Sequence, residues 1–151
     1  MDALKLLKSD HAEVKRMLQE IAATTERAVK TREETFGKVH AALGVHEAIE
    51  EEIFYPALKD HPKSRDIALE GYEEHHVVDT IMGELLGVPV DDETWTAKFT
   101  VMKENLEHHI EEEEGEMFDA ARQVFDEAEL NDLGARMEMR KAELEAGSSA
   151  A

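Results

Sequence analysis

Apolar residues along this chain recur at alternating spacings of three and four, and nowhere at the spacing of two that marks a strand. Leu4, Leu7, Val14, Leu18 and Ile21 trace one stripe, which predicts a first helix from Ala3 to Val29 with Asp2 as its N-cap. A second, from Arg32 to Leu58, carries Phe36, Val39, Leu43 and Ile53, and Lys59–Ser64 breaks it with His61-Pro62. A third, from Arg65 to Leu86, places Ala68, Tyr72, Met82 and Leu86 in phase before Gly87-Val88-Pro89. Asp91-Asp92 leads into a fourth, from Glu93 to Phe125, with the stripe Trp95, Phe99, Met102, Leu106, Ala120 and Val124. A shorter fifth helix over 127–145 is amphipathic through Leu130, Leu133 and Met137. The expectation is an all-α fold: an antiparallel up-down-up-down four-helix bundle with a short extra C-terminal helix. Residues 1–146 form the one domain (bundle core 3–125, extra helix 127–145), and 147–151 a flexible tail.

Polar residues of metal-ligating type fill the gaps in the stripes. His11 stands between Leu7 and Val14, and His46 and Glu50 between Leu43 and Ile53. His75 and Asp79 lie between Tyr72 and Met82, and His109 and Glu113 follow Leu106. A His and an acid four residues apart share a helical face, so both can reach one point. All four long helices thus carry one inward His, and two carry a Glu one turn later. Burying these groups with no compensating cation would be costly, so the pattern calls for a metal. His76, His108, His40 and His61 fall on polar faces, beside a stripe or in a turn, and are assigned no metal role.

Composition narrows the metal. The chain has no cysteine, which removes thiolate sites and disulfides. Imidazole and carboxylate together suit iron or manganese and can suit zinc. Six or seven donors exceed what one four-coordinate zinc needs and match two irons, with Glu50 and Glu113 as natural bridges. Lys and Arg total 17 against 36 Asp and Glu, a formal charge of −19, which repels nucleic acid and anionic membranes. The N-terminus is too polar for a secretory leader and no apolar run spans a bilayer, so a cytoplasmic location is expected.

The segments HEAIEEEIFYP (46–56) and HIEEEEGEMFD (109–119) resemble the paired motifs of the hemerythrin-like, or HHE cation-binding, family. His11 within SDHAEV and Glu74-His75 match the family's single His and third-helix pair. The resemblance covers about residues 3–125. It implies a non-haem di-iron centre, carboxylate-bridged and oxo- or hydroxo-bridged when oxidised, with His11, His46, Glu50, His75, His109 and Glu113 as ligands. Oxygen carriers of the family have HxxxH on the third helix and end on HxxxxD. Here Asp79 follows His75 and Glu113 follows His109, which argues against plain O₂ carriage. Asp79 would be an anionic donor or leave an open position. Glu47 is either a further ligand, as in iron-sensing members, or a solvated helix residue. Tyr72 would donate a phenolate or close the pocket. The small molecules expected as partners are O₂, peroxide or NO. Three function classes follow: a peroxide-consuming or oxidase-type redox protein; a sensor, carrier or storage module for O₂, NO or iron; and an acidic bundle without metal, disfavoured because the inward faces show no Arg or Lys.

Overall fold

The computed structural model describes residues 1–150, with side chains through residue 147. It holds α1 (Ala3–Ala22), α2 (Val29–Ile49), α3 (Tyr55–Lys59), α4 (Pro62–Leu86), α5 (Glu93–Glu112), α6 (Phe118–Val124) and α7 (Glu127–Ala150). Two π-helical turns, Glu50–Phe54 and Glu113–Met117, fuse α2 to α3 and α5 to α6 without a break. The result is the expected antiparallel bundle of four rods with α7 laid against it, and no strand among the described residues.

Boundaries follow local chemistry. Asp2 caps α1 by accepting from the Lys5 amide at 2.9 Å, and Asp92 caps α5 through the Thr94 amide at 2.7 Å. α1 stops at Ala22, short of the expected Val29, because the Thr24 hydroxyl takes the Ile21 carbonyl at 2.5 Å and competes with the helical ladder. α4 starts at Pro62, earlier than Arg65, since proline at the first helical position forfeits only an amide that has no helical partner. α7 runs on to Ala150 rather than giving way to a tail at Gly147; residue 151 lies outside the described residues.

Two phase differences separate the observed core from the expected stripes. Each π turn inserts one residue into the helical repeat, so the core positions beyond it are Phe54, Ala121 and Phe125 in place of Ile53, Ala120 and Val124. In α4 the buried seam is Ala68, Gly71, His75, Val78, Met82 and Leu85, a seven-residue rhythm that suits close antiparallel packing. The expected stripe took the neighbouring flank, so Asp79 and Leu86 turn outward, Leu86 59% exposed, while Tyr72 is half-buried against the core.

The apolar interior is split in two. One cluster, with Val14, Phe36, Met82, Trp95, Phe99 and Ile110, fills the end near the α1–α2 turn. The other, with Leu7, Ile49, Phe54, Phe118 and Met137, lies toward α7. A polar layer separates them: His11, His46, Glu50, His75, His109 and Glu113, each at most 5% exposed. Arg32 is also buried, contrary to the expectation of no inward base. It donates to the Val90 carbonyl at 2.7 Å and the Thr96 hydroxyl at 3.0 Å, and sits over the Trp95 ring.

Candidate metal centre

Each rod delivers its donors for a simple reason. His11 and His75 lie mid-seam on α1 and α4, while His46 with Glu50 and His109 with Glu113 stand one turn apart at the junctions where α2 and α5 enter their π turns. The six donors meet in the middle as two groups of four, His11–His46–Glu50–Glu113 and Glu50–His75–His109–Glu113. Within each, the donor atoms lie within 4.8 Å of one another, and both groups share Glu50 and Glu113. His46 Nε2 stands 3.0 Å from Glu50 Oε1 and His75 Nε2 3.1 Å from the same oxygen. His109 Nε2 is 3.0 Å from Glu113 Oε2, and His11 Nε2 is 3.5 Å from Glu113 Oε1.

The outward nitrogens are equally organised. His11 Nδ1 faces Glu114 at 2.7 Å, His46 Nδ1 faces Asp10 at 3.0 Å, His75 Nδ1 faces Glu51 at 2.9 Å, and His109 Nδ1 faces Glu74 at 3.4 Å. A carboxylate only accepts, so each outward Nδ1 is the nitrogen that carries the hydrogen and each Nε2 turns its lone pair inward, though His109 Nδ1 faces Glu74 without closing a hydrogen bond. The pattern closes a ring around the bundle, in which every rod's histidine leans on an acid of the next rod. It is the carboxylate–histidine support that metal-ligating imidazoles use. The helical stripes do not single out these four acids, although each is the chain neighbour of a candidate ligand: Asp10-His11, Glu50-Glu51, Glu74-His75 and Glu113-Glu114.

With the Nδ1 hydrogens committed outward, lone pairs face carboxylate oxygens across the centre. Nε2 of His11 and His46, both ring nitrogens of His109, both oxygens of Glu50 and Oε1 of Glu113 are buried with no hydrogen-bond partner. Such a set must hold protons or cations. Without metal, protons serve. Burial alone would lower His46, but the Glu50 charge beside it and the hydrogen bond to Asp10 outweigh it and hold the imidazole well above its ordinary value. Burial is likewise outweighed at His109, by the Glu113 and Glu74 carboxylates that flank its ring, and its pKa rises to about 10. Burial would raise Glu113, yet the adjacent Glu50, His109 and His11 draw its carboxyl well below the usual range. Mutual repulsion of the two glutamates is therefore not what governs Glu113 when metal is absent, because imidazolium charge replaces the cation.

The remaining candidates fall outside this ring of Nε2 atoms. Glu47 lies behind His75, 3.9 Å from its outward Nδ1, in a third group with Glu51 and His75. Burial first, then a hydrogen bond with Asp79, pushes Glu47 to about 10. Asp79 is exposed and faces Glu47 rather than the centre, so it fills no ligand position. Tyr72 donates its hydroxyl to the Glu51 carbonyl at 3.3 Å and packs edge-on against Tyr55, so it walls the site and offers no phenolate to it. The tyrosine that does reach the centre is Tyr55. Its hydroxyl donates to Glu113 Oε2 at 2.9 Å and lies 3.3 Å from His75 Nε2. Gly71 makes room for that ring, since a Cβ there would stand 2.8–3.0 Å from Tyr55 atoms. A glycine in mid-helix one turn before His75 was the available signal. Beside the histidines a cavity of ≈ 10 Å³, roofed by Val14, Leu43, Val78, Leu106 and Ile110, has room for a water-sized molecule.

The hemerythrin HHE cation binding domain profile matches residues 2–121, a span that holds all six inward donors and all four outer acids. The chain belongs to the hemerythrin HHE cation-binding family. Uncharacterized protein Rv2633c of Mycobacterium tuberculosis is 28% identical over 145 residues, covering 95% of this chain and 88% of that one. Uncharacterized protein Mb2666c of Mycobacterium bovis matches to the same extent. A crystal structure of a hemerythrin HHE cation binding domain-containing protein from Mycobacterium kansasii, described as an Rv2633c homolog, superposes with a TM-score of 0.88 at 26% identity. It covers 99% of this chain and 91% of its own, so the likeness extends to α7. This chain of a cation-binding family thus carries buried His/Glu groups able to hold a metal, and no described helix is long and apolar enough to cross a membrane.

Proposed function

We propose that this HHE domain is a non-haem di-iron protein that reacts with O₂ or peroxide and consumes peroxide. The observation that carries the reading is the pair of four-donor groups sharing Glu50 and Glu113. Two fused groups with two common carboxylates suit two cations side by side, and the all-nitrogen-and-oxygen donor set suits iron. His11 and His46 would hold one ion, His75 and His109 the other, and Glu50 and Glu113 would touch both. Bound iron would supply Lewis acidity and electrons at this point.

The chain's own residues set the conditions for that chemistry. Glu114, Asp10, Glu51 and Glu74 fix the imidazole tautomers and turn every Nε2 inward. The apolar roof keeps bulk water out, and the cavity beneath it, with room for a water-sized molecule, excludes an organic substrate. Position 78 presents Val78 and position 79 turns outward, so α4 supplies one histidine where a carrier has two. Tyr55 holds a proton at its hydroxyl, against Glu113 Oε2. Burial and the charges of Glu50 and Glu113 keep its pKa well above the ordinary value, so that proton stays in place near neutral pH.

The test is to reconstitute the protein with iron and follow hydrogen peroxide loss and O₂ release, with Glu50→Ala as control. Peroxide consumption well above that of equimolar free iron, lost in the variant, supports the reading. Reversible O₂ binding through many cycles with no peroxide loss would replace it with a carrier or sensor.

A further inference from the structure

The centre is built on an internal two-fold. Asp10-His11 on α1 repeats as Glu74-His75 on α4, and His46, Glu50, Glu51 and the π turn repeat as His109, Glu113, Glu114 and the second π turn. The outer ring obeys it: Asp10 supports His46 as Glu74 supports His109, and Glu51 supports His75 as Glu114 supports His11. α7 has no counterpart, and it breaks the symmetry at one point. Lys141 Nζ stands 2.6 Å from Asp10 Oδ1, while Asp10 Oδ2 receives the His46 Nδ1 hydrogen. Asp10 is thereby gripped from both sides, with a side chain only 10% exposed. Its counterpart Glu74 has a side chain 29% exposed, and those of Glu51 and Glu114 are 38% and 24% exposed. Among the described residues, no lysine or arginine pairs with any of those three. The profile match ends at residue 121, before α7 begins, so Lys141 lies outside the matched span.

We propose that Lys141 is a positioning residue for one metal position: by clamping Asp10 it fixes the His46 imidazole, and it makes the His11/His46 position hold its ion more tightly than it would unaided. The inference rests on the two-metal reading above. An outer acid orients its histidine and raises its basicity, and disturbing such a partner typically costs 10–100-fold in metal affinity. The ion pair is half-sheltered, so its main effect is to remove rotational freedom from Asp10 rather than to add Coulombic energy. The His75/His109 position has no such clamp, and the two ions are therefore held unequally.

The experiment is an anaerobic calorimetric titration of the metal-free, full-length protein with Fe(II), comparing wild type, Lys141→Met and Arg140→Met. Arg140 is the internal control: it ties α7 to Glu52 at 2.8 Å and touches no outer acid of the ring, so its loss loosens α7 without releasing Asp10. The expected result is two equivalents in every protein, with one of them weakened about tenfold in Lys141→Met alone. In the Fe(II)-loaded form, one of the four paramagnetically shifted imidazole N–H signals should move in that variant and the other three stay. Equal weakening of both equivalents, or the same change in Arg140→Met, would reduce Lys141 to a helix anchor and overturn the proposal. So would an unchanged titration in Lys141→Met. Wild type taking up fewer than two equivalents would instead overturn the two-metal reading on which this rests.

Discussion

At the scale of single residues, helical phase decides which histidines can hold metal. His75 and His109 are buried in the ring, while His76 is exposed and the His108 side chain is 67% exposed. His75→Ala and His109→Ala should each lose bound iron, and His76→Ala and His108→Ala should keep the wild-type content, as read by elemental analysis after reconstitution. Asp79→Asn should behave like the second pair, because that carboxylate faces Glu47. Gly71 is a second residue-scale test. A Cβ there would press on Tyr55 at 2.8 Å, whereas Gly83 on the same helix has nothing within 4 Å. Gly71→Ala should therefore destabilise the metal-free protein by about 1–3 kcal/mol through overpacking. Gly83→Ala should stabilise it by roughly 0.5–1 kcal/mol through helix propensity. Denaturant melts of the two variants check both signs.

At the scale of elements, the four inward histidines and the two glutamates were legible because each interrupts an apolar stripe, and a stripe tolerates a polar member only for a reason. The outer acids were not, because Asp10, Glu51, Glu74 and Glu114 sit among many acids of a highly charged chain and only the packing of neighbouring rods singles them out. The two π turns were invisible for a different cause. An inserted residue rotates everything downstream by about 100°, and a fixed repeat then selects Ile53, Ala120 and Val124 where the core takes Phe54, Ala121 and Phe125. On α4 the choice between two flanks of one stripe misplaced Asp79 and Leu86 together, and with them the idea that Asp79 reaches the metal. The placement of α7 was likewise beyond the sequence, since its key contact is a close backbone crossing. A Cβ on Gly134 would run into the backbone of Met1, Asp2 and Ala3. Gly134→Ala should accordingly lower stability by about 1–3 kcal/mol, in contrast to the usual gain from replacing a helical glycine, and a chemical melt reads it directly.

At the scale of the whole molecule, metal and protons compete for one buried cluster, and that links stability to pH. His109 rises from 6.5 to about 10 in the metal-free fold. A raised histidine contributes stability that is fully present below its unfolded value and is lost as pH climbs through its folded one. The metal-free protein should therefore lose this contribution between about pH 6.5 and 10, and the raised His46 acts in the same direction. Metal takes the place of those protons, so the loaded protein escapes that loss. The difference in melting temperature between loaded and metal-free protein should widen as pH rises from 6 to 9 and narrow in mild acid. Parallel melting curves across that range would show that the imidazolium charges do not stand in for metal.

The central claim is that two ions sit side by side between shared glutamates, and an anomalous difference map from crystals of the iron-reconstituted protein, recorded at the iron absorption edge, tests it most directly. The expected map has two peaks in the polar layer, one against Nε2 of His11 and His46 and one against Nε2 of His75 and His109, with Glu50 and Glu113 in contact with both. A single peak, or peaks lying on the surface acids and none between the two glutamates, would contradict it.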